Sequence, residues 1–313
     1  MQIFSNLIAT ALFALSGAAM AQVYPAKPIV FLVAAPGGTP EAIQRAIFDK
    51  VRENTNATLL FEAKPGGGGA VSLLAVKGAA ADGYTLSVPW ASAINLNPLI
   101  NKELGIDPFK DFVPVTNLMS LGVVLAARDD FPAKDIRDLV SMAKAKPESI
   151  RIGIFGAGNK SWMAMLEEQT GVKFLQVPYK STTELVTATL GGVIDAHFET
   201  VGTVLAQKGR LKALSFGGVA ASPQLPNAPV VRDLYKFDML SWFGVLAPAG
   251  TPPATVNWLS REIARAVKDP KIVQMMESNG FAPIGNTPEE FAKSLRAEVD
   301  LNRDLVRKYP DIK

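Results

Sequence analysis

Between Ile150 and Met163 the chain reads Ile-Arg-Ile-Gly-Ile-Phe-Gly-Ala-Gly-Asn-Lys-Ser-Trp-Met. Ile150, Ile152 and Ile154 alternate as in a short strand, Gly153, Gly156 and Gly158 open a turn, and Ser161 to Gln169 reads as a helix start. The first N–H groups of a helix lack internal partners and its dipole is positive there, so the start of this helix forms a cradle for an anion. Two nucleotide motifs come close without fitting. A phosphate loop needs Lys directly after its second glycine, but Asn159 separates Gly158 from Lys160. A dinucleotide fingerprint needs a small apolar residue in its third glycine position, where Ser161 stands. A purely structural strand-to-helix turn is the plain alternative, and a small carboxylate is the anion the stretch suits best.

Side chains for catalysis are scarce. The chain has one histidine, His197, and no cysteine, so thiolate chemistry, disulfides and a lipid-anchoring cysteine are excluded and a transition-metal site is unsupported. No G-x-S-x-G elbow occurs, and the acidic pairs Asp129-Asp130, Glu167-Glu168 and Glu289-Glu290 are neighbours that need not face each other. Reversible binding with no cofactor and no metal is expected, not an enzyme. With 32 basic and 29 acidic residues spread without runs, the net charge of +3 does not indicate nucleic acid.

Residues 1–21 carry no charged side chain, are apolar or small from Leu7 to Ala19, and end in Ala-Met-Ala. They read as a secretory signal cleaved after Ala21, the apolar run being too short for the roughly twenty residues of a membrane span. A free protein of the periplasm is expected. The remainder, in a chain that is 48% hydrophobic, is enough for two domains.

From Lys27 a β-loop-α rhythm positions the glycine turns. Ile29 to Ala34 is a continuous apolar run that leads into Pro36-Gly37-Gly38-Thr39 and a helix burying Ile43, Ile47 and Val51. A strand at Thr58 to Phe61 precedes Lys64-Pro65-Gly66-Gly67-Gly68-Gly69 and a small-residue helix at 70–80, and a third strand ends in Pro89-Trp90-Ala91-Ser92. Phe112 to Arg128 reads as two apolar runs split near Ser120-Leu121-Gly122. A second series then follows through Ile150, a strand at Phe174 to Val177 and a strand at Ile194 to Phe198. Long amphipathic helices close the chain, one opened by a capping box at Thr287-Pro288-Glu289-Glu290. Alternating strands and helices argue for mainly parallel sheets, which bind ligands outside the carboxyl ends of their strands.

Tyr24-Pro25-Ala26-Lys27-Pro28, Pro36-Gly37-Gly38, Pro65-Gly66-Gly67-Gly68, Ala81-Asp82-Gly83-Tyr84-Thr85-Leu86, Val177-Pro178-Tyr179-Lys180 and the run from Trp242 to Pro252 stand in one order. Together they resemble the periplasmic solute receptors of tripartite tricarboxylate transporters, the Bordetella uptake gene family, over essentially the whole chain after residue 21. The resemblance implies an α/β two-lobed clamshell of the Venus-flytrap kind, each lobe a mainly parallel sheet flanked by helices. Lobe one would comprise residues 22–120 and 244–313, lobe two residues 121–243. A small organic carboxylate would sit between them and pass to a membrane transporter of one large and one small subunit; the receptor itself is expected to be a monomer. Carried onto this sequence, the carboxylate would meet Gly37, Gly38 and Thr39 in lobe one and Gly156, Gly158, Asn159 and Ser161 in lobe two. A receptor that reports to a sensor protein, and a periplasmic enzyme acting on a carboxylate, are the alternative functions.

Four departures from the family pattern bear on specificity. Thr39-Pro40-Glu41 follows the first glycine pair where Gly-Thr-Asp is common, Trp162 replaces a frequent His, Phe198-Glu199 replaces Phe-Asp, and Ser181 replaces a Gly. Trp90, with Ser92 beside it, and Trp162 thus fall by the proposed cleft. Either each packs against its own lobe, or they flank the planar body of an aromatic carboxylate. Glu199 shares a strand side with Asp195 and His197, for which a solvated face is the default. Facing the cleft instead, it would bond a ligand donor or repel a second carboxylate.

Overall fold

The computed structural model describes residues 24–218 and 221–312, so the expected signal segment lies outside the described residues. The strands are, in chain order, β1 (Ile29–Val33), β2 (Leu59–Ala63), β3 (Thr85–Val88), β4 (Phe112–Arg128), β5 (Arg151–Ile154), β6 (Leu175–Pro178), β7 (Ala196–Thr200), β8 (Leu211–Phe216), β9 (Leu240–Pro248) and β10 (Phe281–Pro283). They form one curled sheet in the order β2-β1-β3-β9-β4-β7-β5-β6, with β8 and β10 also paired to β4.

The outer strands follow the βαβ logic. β1 pairs in parallel with β2 and β3, and β5 with β6 and β7. At the centre the pairing is antiparallel, because β4 and β9 are the strands by which the chain passes from one half of the sheet to the other. The first part of β4 pairs with β9 and β10, and the part from Val123 onward pairs with β7 and β8. The split expected near Gly122 is absent: β4 is continuous through it. A Cβ on Gly122 would lie 1.7 Å from the Gly217 carbonyl oxygen, so the glycine lets two backbones approach where a side chain would force them apart.

Helices cover both faces. The helix Gly38–Thr55 buries Ile43, Ile47, Phe48 and Val51, and Pro253–Val267 buries Val256, Leu259, Ile263 and Val267. The C-terminal helix Pro288–Lys308 starts at the reciprocal Thr287–Glu290 capping box and buries Phe291, Leu295 and Val299. Past its end the chain leans on the other half of the molecule, where Ile312 and Tyr309 cluster with Ala157 and Ala164. Lys308 there pairs with Glu168 at 2.9 Å, and the Tyr309 hydroxyl also donates to that carboxylate.

The second-half helix begins earlier than the sequence suggests. It spans Gly156–Thr170, so the glycines lie inside its first turn, and Asn159 Oδ1 accepts the Phe155 N–H at 2.9 Å to seal the start. The default of a solvated face on β7 also fails. β7 runs between β4 and β5 with a helix, Thr182–Leu190, packed over it, and His197 and Glu199 are 0% and 5% exposed. Asp195, just before the strand, is partly exposed, its carboxylate accepting from the Arg151 guanidinium at 2.7 Å.

Candidate functional site

The carboxyl ends of β1, β3, β5 and β7 converge on one cleft of about 200 Å³. Its outlines follow from those four strand ends. After β1 come Gly37 and Gly38, after β3 Trp90 and Ser92, after β5 Phe155, Gly158, Asn159, Ser161 and Trp162, and at the end of β7 Phe198 and Glu199. The volume is below the roughly 300–1,000 Å³ of drug-sized pockets, which limits an occupant to a small molecule.

The walls are aromatic. Trp90 packs on Phe155 across the cleft with ring centroids 5.5 Å apart, and Trp162 packs on Phe198 at 5.5 Å. Phe243 of β9 adds a fifth ring. Trp90 is held by its indole N–H, which donates to Ser92 Oγ at 3.0 Å. Ser92 in turn meets the second-half helix: a Cβ on Gly158 would come 3.1 Å from its hydroxyl oxygen. The two halves are therefore closed on one another.

Two helix starts point toward this space, and they differ. In the helix Gly38–Thr55 the Glu41 carboxylate turns back to accept the Gly37 N–H and is itself bound by Arg45 Nε at 2.7 Å. That start already holds an anion. The helix Gly156–Thr170 has no acidic residue in its first turn, so its amides face no built-in carboxylate. The Ser161 hydroxyl donates to Gly158 O at 2.8 Å, so toward the cleft it offers its oxygen and not its proton.

Not every residue expected from the sequence reaches the cleft lining. Thr39 lies to one side at the contact between halves, where a Cβ on Gly202 would come 2.9 Å from its methyl group. Gly156 lies behind the lining, with Trp90 Cζ2 3.8 Å from where its Cβ would be. The sequence reading missed Phe155, Phe198, Phe243, Asn95, Thr203 and Asn302. The first two adjoin chosen residues at strand ends and could have been found by extending those ends by one position. Asn302 arrives from the distant C-terminal helix, its amide donating to Asn95 O at 3.2 Å, and carries no local signal. Beneath it Glu298 accepts from Asn95 Nδ2 at 2.7 Å and Trp242 Nε1 at 2.8 Å, and burial raises its pKa.

The electrostatics are one-sided. Among the described residues no Lys, Arg, His or Asp lines the cleft, and Glu199 is the one ionisable group that does. Burial pushes the Glu199 carboxyl up to about 7, against the pull of the Thr200 N–H at 2.7 Å and of the Thr203 and Thr200 hydroxyls. Burial lowers neighbouring His197 to about 4. Among the described residues no group of three His, Asp or Glu side chains is placed to hold a metal.

Residues 43–310 match the sequence profile of the Tripartite tricarboxylate transporter family receptor. The chain belongs to this family. Among its relatives, Protein BugT of Bordetella pertussis is 27% identical over 299 residues, covering 92% of this chain and 90% of that protein. A solved structure described as that of a periplasmic transporter is 34% identical, covers 93% of this chain and 99% of its own, and superposes with a TM-score of 0.86. Periplasmic binding protein BugD is 27% identical with a TM-score of 0.82, covering 91% and 98% of the two chains. The fold of this receptor is thus that of the two-lobed periplasmic binding proteins.

Proposed function

We propose that this receptor binds a small organic carboxylate with an apolar, preferably aromatic, body between two lobes and delivers it to the large and small membrane subunits of a tripartite transporter. The lobes are residues 22–120 with 244–313, and residues 121–243; the protein works in the periplasm as a monomer after cleavage behind Ala21. Membership of a tricarboxylate transporter receptor family supports the acid. The observation that carries the finer reading is the aromatic lining, with Trp90, Phe155, Trp162, Phe198 and Phe243 around a cleft that has no cationic side chain among the described residues. Without a cation, two or three carboxylates would be buried uncompensated, which is costly. One carboxylate meets the uncapped amide of Gly158, the side-chain amide of Asn159 and the free proton of Ser92, and the rings take the body of the ligand. Gly37, Gly38 and Ser161 complete the surround.

Isothermal calorimetry with benzoate, 3-phenylpropionate and citrate tests this directly. An aromatic monocarboxylate should bind at least tenfold tighter than citrate, about 1.4 kcal/mol. Citrate in first place would overturn the aromatic reading, and silence from all three acids would overturn the carboxylate reading.

A further inference from the structure

His197 is the chain's one histidine and lies one strand repeat from Glu199, fully buried, without reaching the cleft lining. Its hydrogen bonds fix its tautomer. The Thr189 hydroxyl donates to Leu185 O at 2.9 Å, so its oxygen can only accept from His197 Nδ1 at 2.7 Å. The ring proton is therefore on Nδ1, and Nε2 is a bare acceptor. Nε2 has no hydrogen-bond partner among the described residues, and Glu199 Oε2 lies 3.9 Å from it. Glu199 Oε1 is already engaged by the Thr200 N–H. A proton on Oε2 is what the unpartnered Nε2 calls for, reached by a small side-chain shift or through one water.

No other ionisable group competes for that proton. Across β4 the pair is opposite Val124 and Ala126, and across β5 His197 is opposite Gly153. The covering helix contributes Thr189 and Leu185, and the helix after β7 contributes Thr203. Glu184 of the covering helix is turned to the Lys180 N–H at its exposed start, and Asp195, just before β7, is held by Arg151. The cleft side brings only apolar and neutral polar groups among the described residues.

We propose that His197 and Glu199 share a single proton, and that this neutral pair, in place of a cationic side chain, is what admits an anionic ligand to the cleft. Glu199 then meets the ligand as an O–H donor to an acceptor oxygen, and His197 is the positioning residue that holds the proton in the empty cleft. Loss of the proton leaves a buried carboxylate in the wall, which repels a carboxylate ligand and favours a cationic one. The pair's charge is consistent with the buried carboxyl titrating near 7 while the imidazole stays neutral well below that. The ligand class follows: an acid without a cationic group, not an amino acid whose ammonium would need an ionised Glu199. The ligand half of the inference rests on the carboxylate reading of the cleft; the proton half rests on the protein alone.

Because His197 is unique, a nitrogen-15 histidine label gives one imidazole to follow without any ligand. The expected spectrum from pH 5 to 8 is a neutral ring protonated at Nδ1, with an Nε2 shift that steps near pH 7 and loses that step in Glu199→Gln. A ring protonated at Nε2, a cationic ring at pH 6, or the same step in Glu199→Gln would overturn the pair. The second arm is the affinity for benzoate or 3-phenylpropionate against pH: weakening of about tenfold per unit above pH 7 in the unaltered protein and a flat profile in Glu199→Gln. A flat profile in both proteins, or affinity that rises with pH, overturns the role in ligand admission while leaving carboxylate binding intact. Absence of binding by every acid sinks the carboxylate reading and leaves the histidine spectrum to judge the pair.

Discussion

The two tryptophans of the cleft carry the same side chain into different mechanical settings. Trp90 is 9% exposed, is pinned through its indole N–H to Ser92, and lays its ring on Phe155 of the opposite half. Trp162 is half-buried and packs on Phe198 of its own half. Trp90 therefore registers whether the halves are closed, whereas Trp162 stays with its own half in either state. A wall residue can serve closure or contact with ligand, and the partner of its ring decides which.

Truncation of the two rings should separate these roles most strongly. Trp90→Ala should cost about 3–5 kcal/mol of stability in urea unfolding, in the range for a buried aromatic, and abolish measurable ligand binding. Trp162→Ala, on a half-buried ring, should cost about half of that and weaken an aromatic acid more than an aliphatic one. Equal losses of stability from the two would break the distinction.

Glu199→Gln is next in size and is read through pH. The folded-state carboxyl titrates near 7, above its ordinary 4.5, so its contribution to stability is complete below about pH 4.5 and is lost as pH rises through 7. The variant lacks that loss, so its stability relative to the parent should grow between pH 5 and pH 8 by on the order of 3 kcal/mol. His197, depressed by burial, acts with the opposite sign and is present in both proteins, so most of its effect cancels in the difference. A constant gap across this pH range would contradict a buried, proton-bearing Glu199.

Smaller effects belong to the seam. Gly158→Ala brings a methyl group 3.1 Å from Ser92 Oγ and should disfavour closure by about 1–2 kcal/mol, weakening any ligand that needs the closed form by about tenfold. Ser92→Ala leaves the Trp90 indole N–H without its acceptor and should cost about 1 kcal/mol of stability. If Gly158→Ala bound ligand normally while Ser92→Ala did not, the hydroxyl and not the closure would be what the ligand reads.

Much of the fold was legible because it is local. The apolar period of Ile43, Ile47 and Val51, the Thr287–Glu290 capping box and the glycine turns at strand ends all express short-range physics. The continuity of β4 was not, since Gly122 looks like a break until Gly217 is seen packed against it. The early start of the helix Gly156–Thr170 was hidden because Asn159 supplies from inside the turn the cap that a preceding Ser or Asp would usually provide. At the site, strand ends pointed to Trp90, Ser92, Asn159 and Glu199. What escaped were residues brought by long-range topology, Asn302 and Phe243, and the occupation of the first helix start by Glu41, a rotamer choice that spacing does not encode.

Native mass spectrometry of the protein purified from its periplasm, followed by denaturation and identification of what is released, meets the central claim most directly. One small carboxylic acid per chain is expected, carrying one carboxylate and an apolar or aromatic body. A released nucleotide, or an amine without a carboxylate, would contradict it.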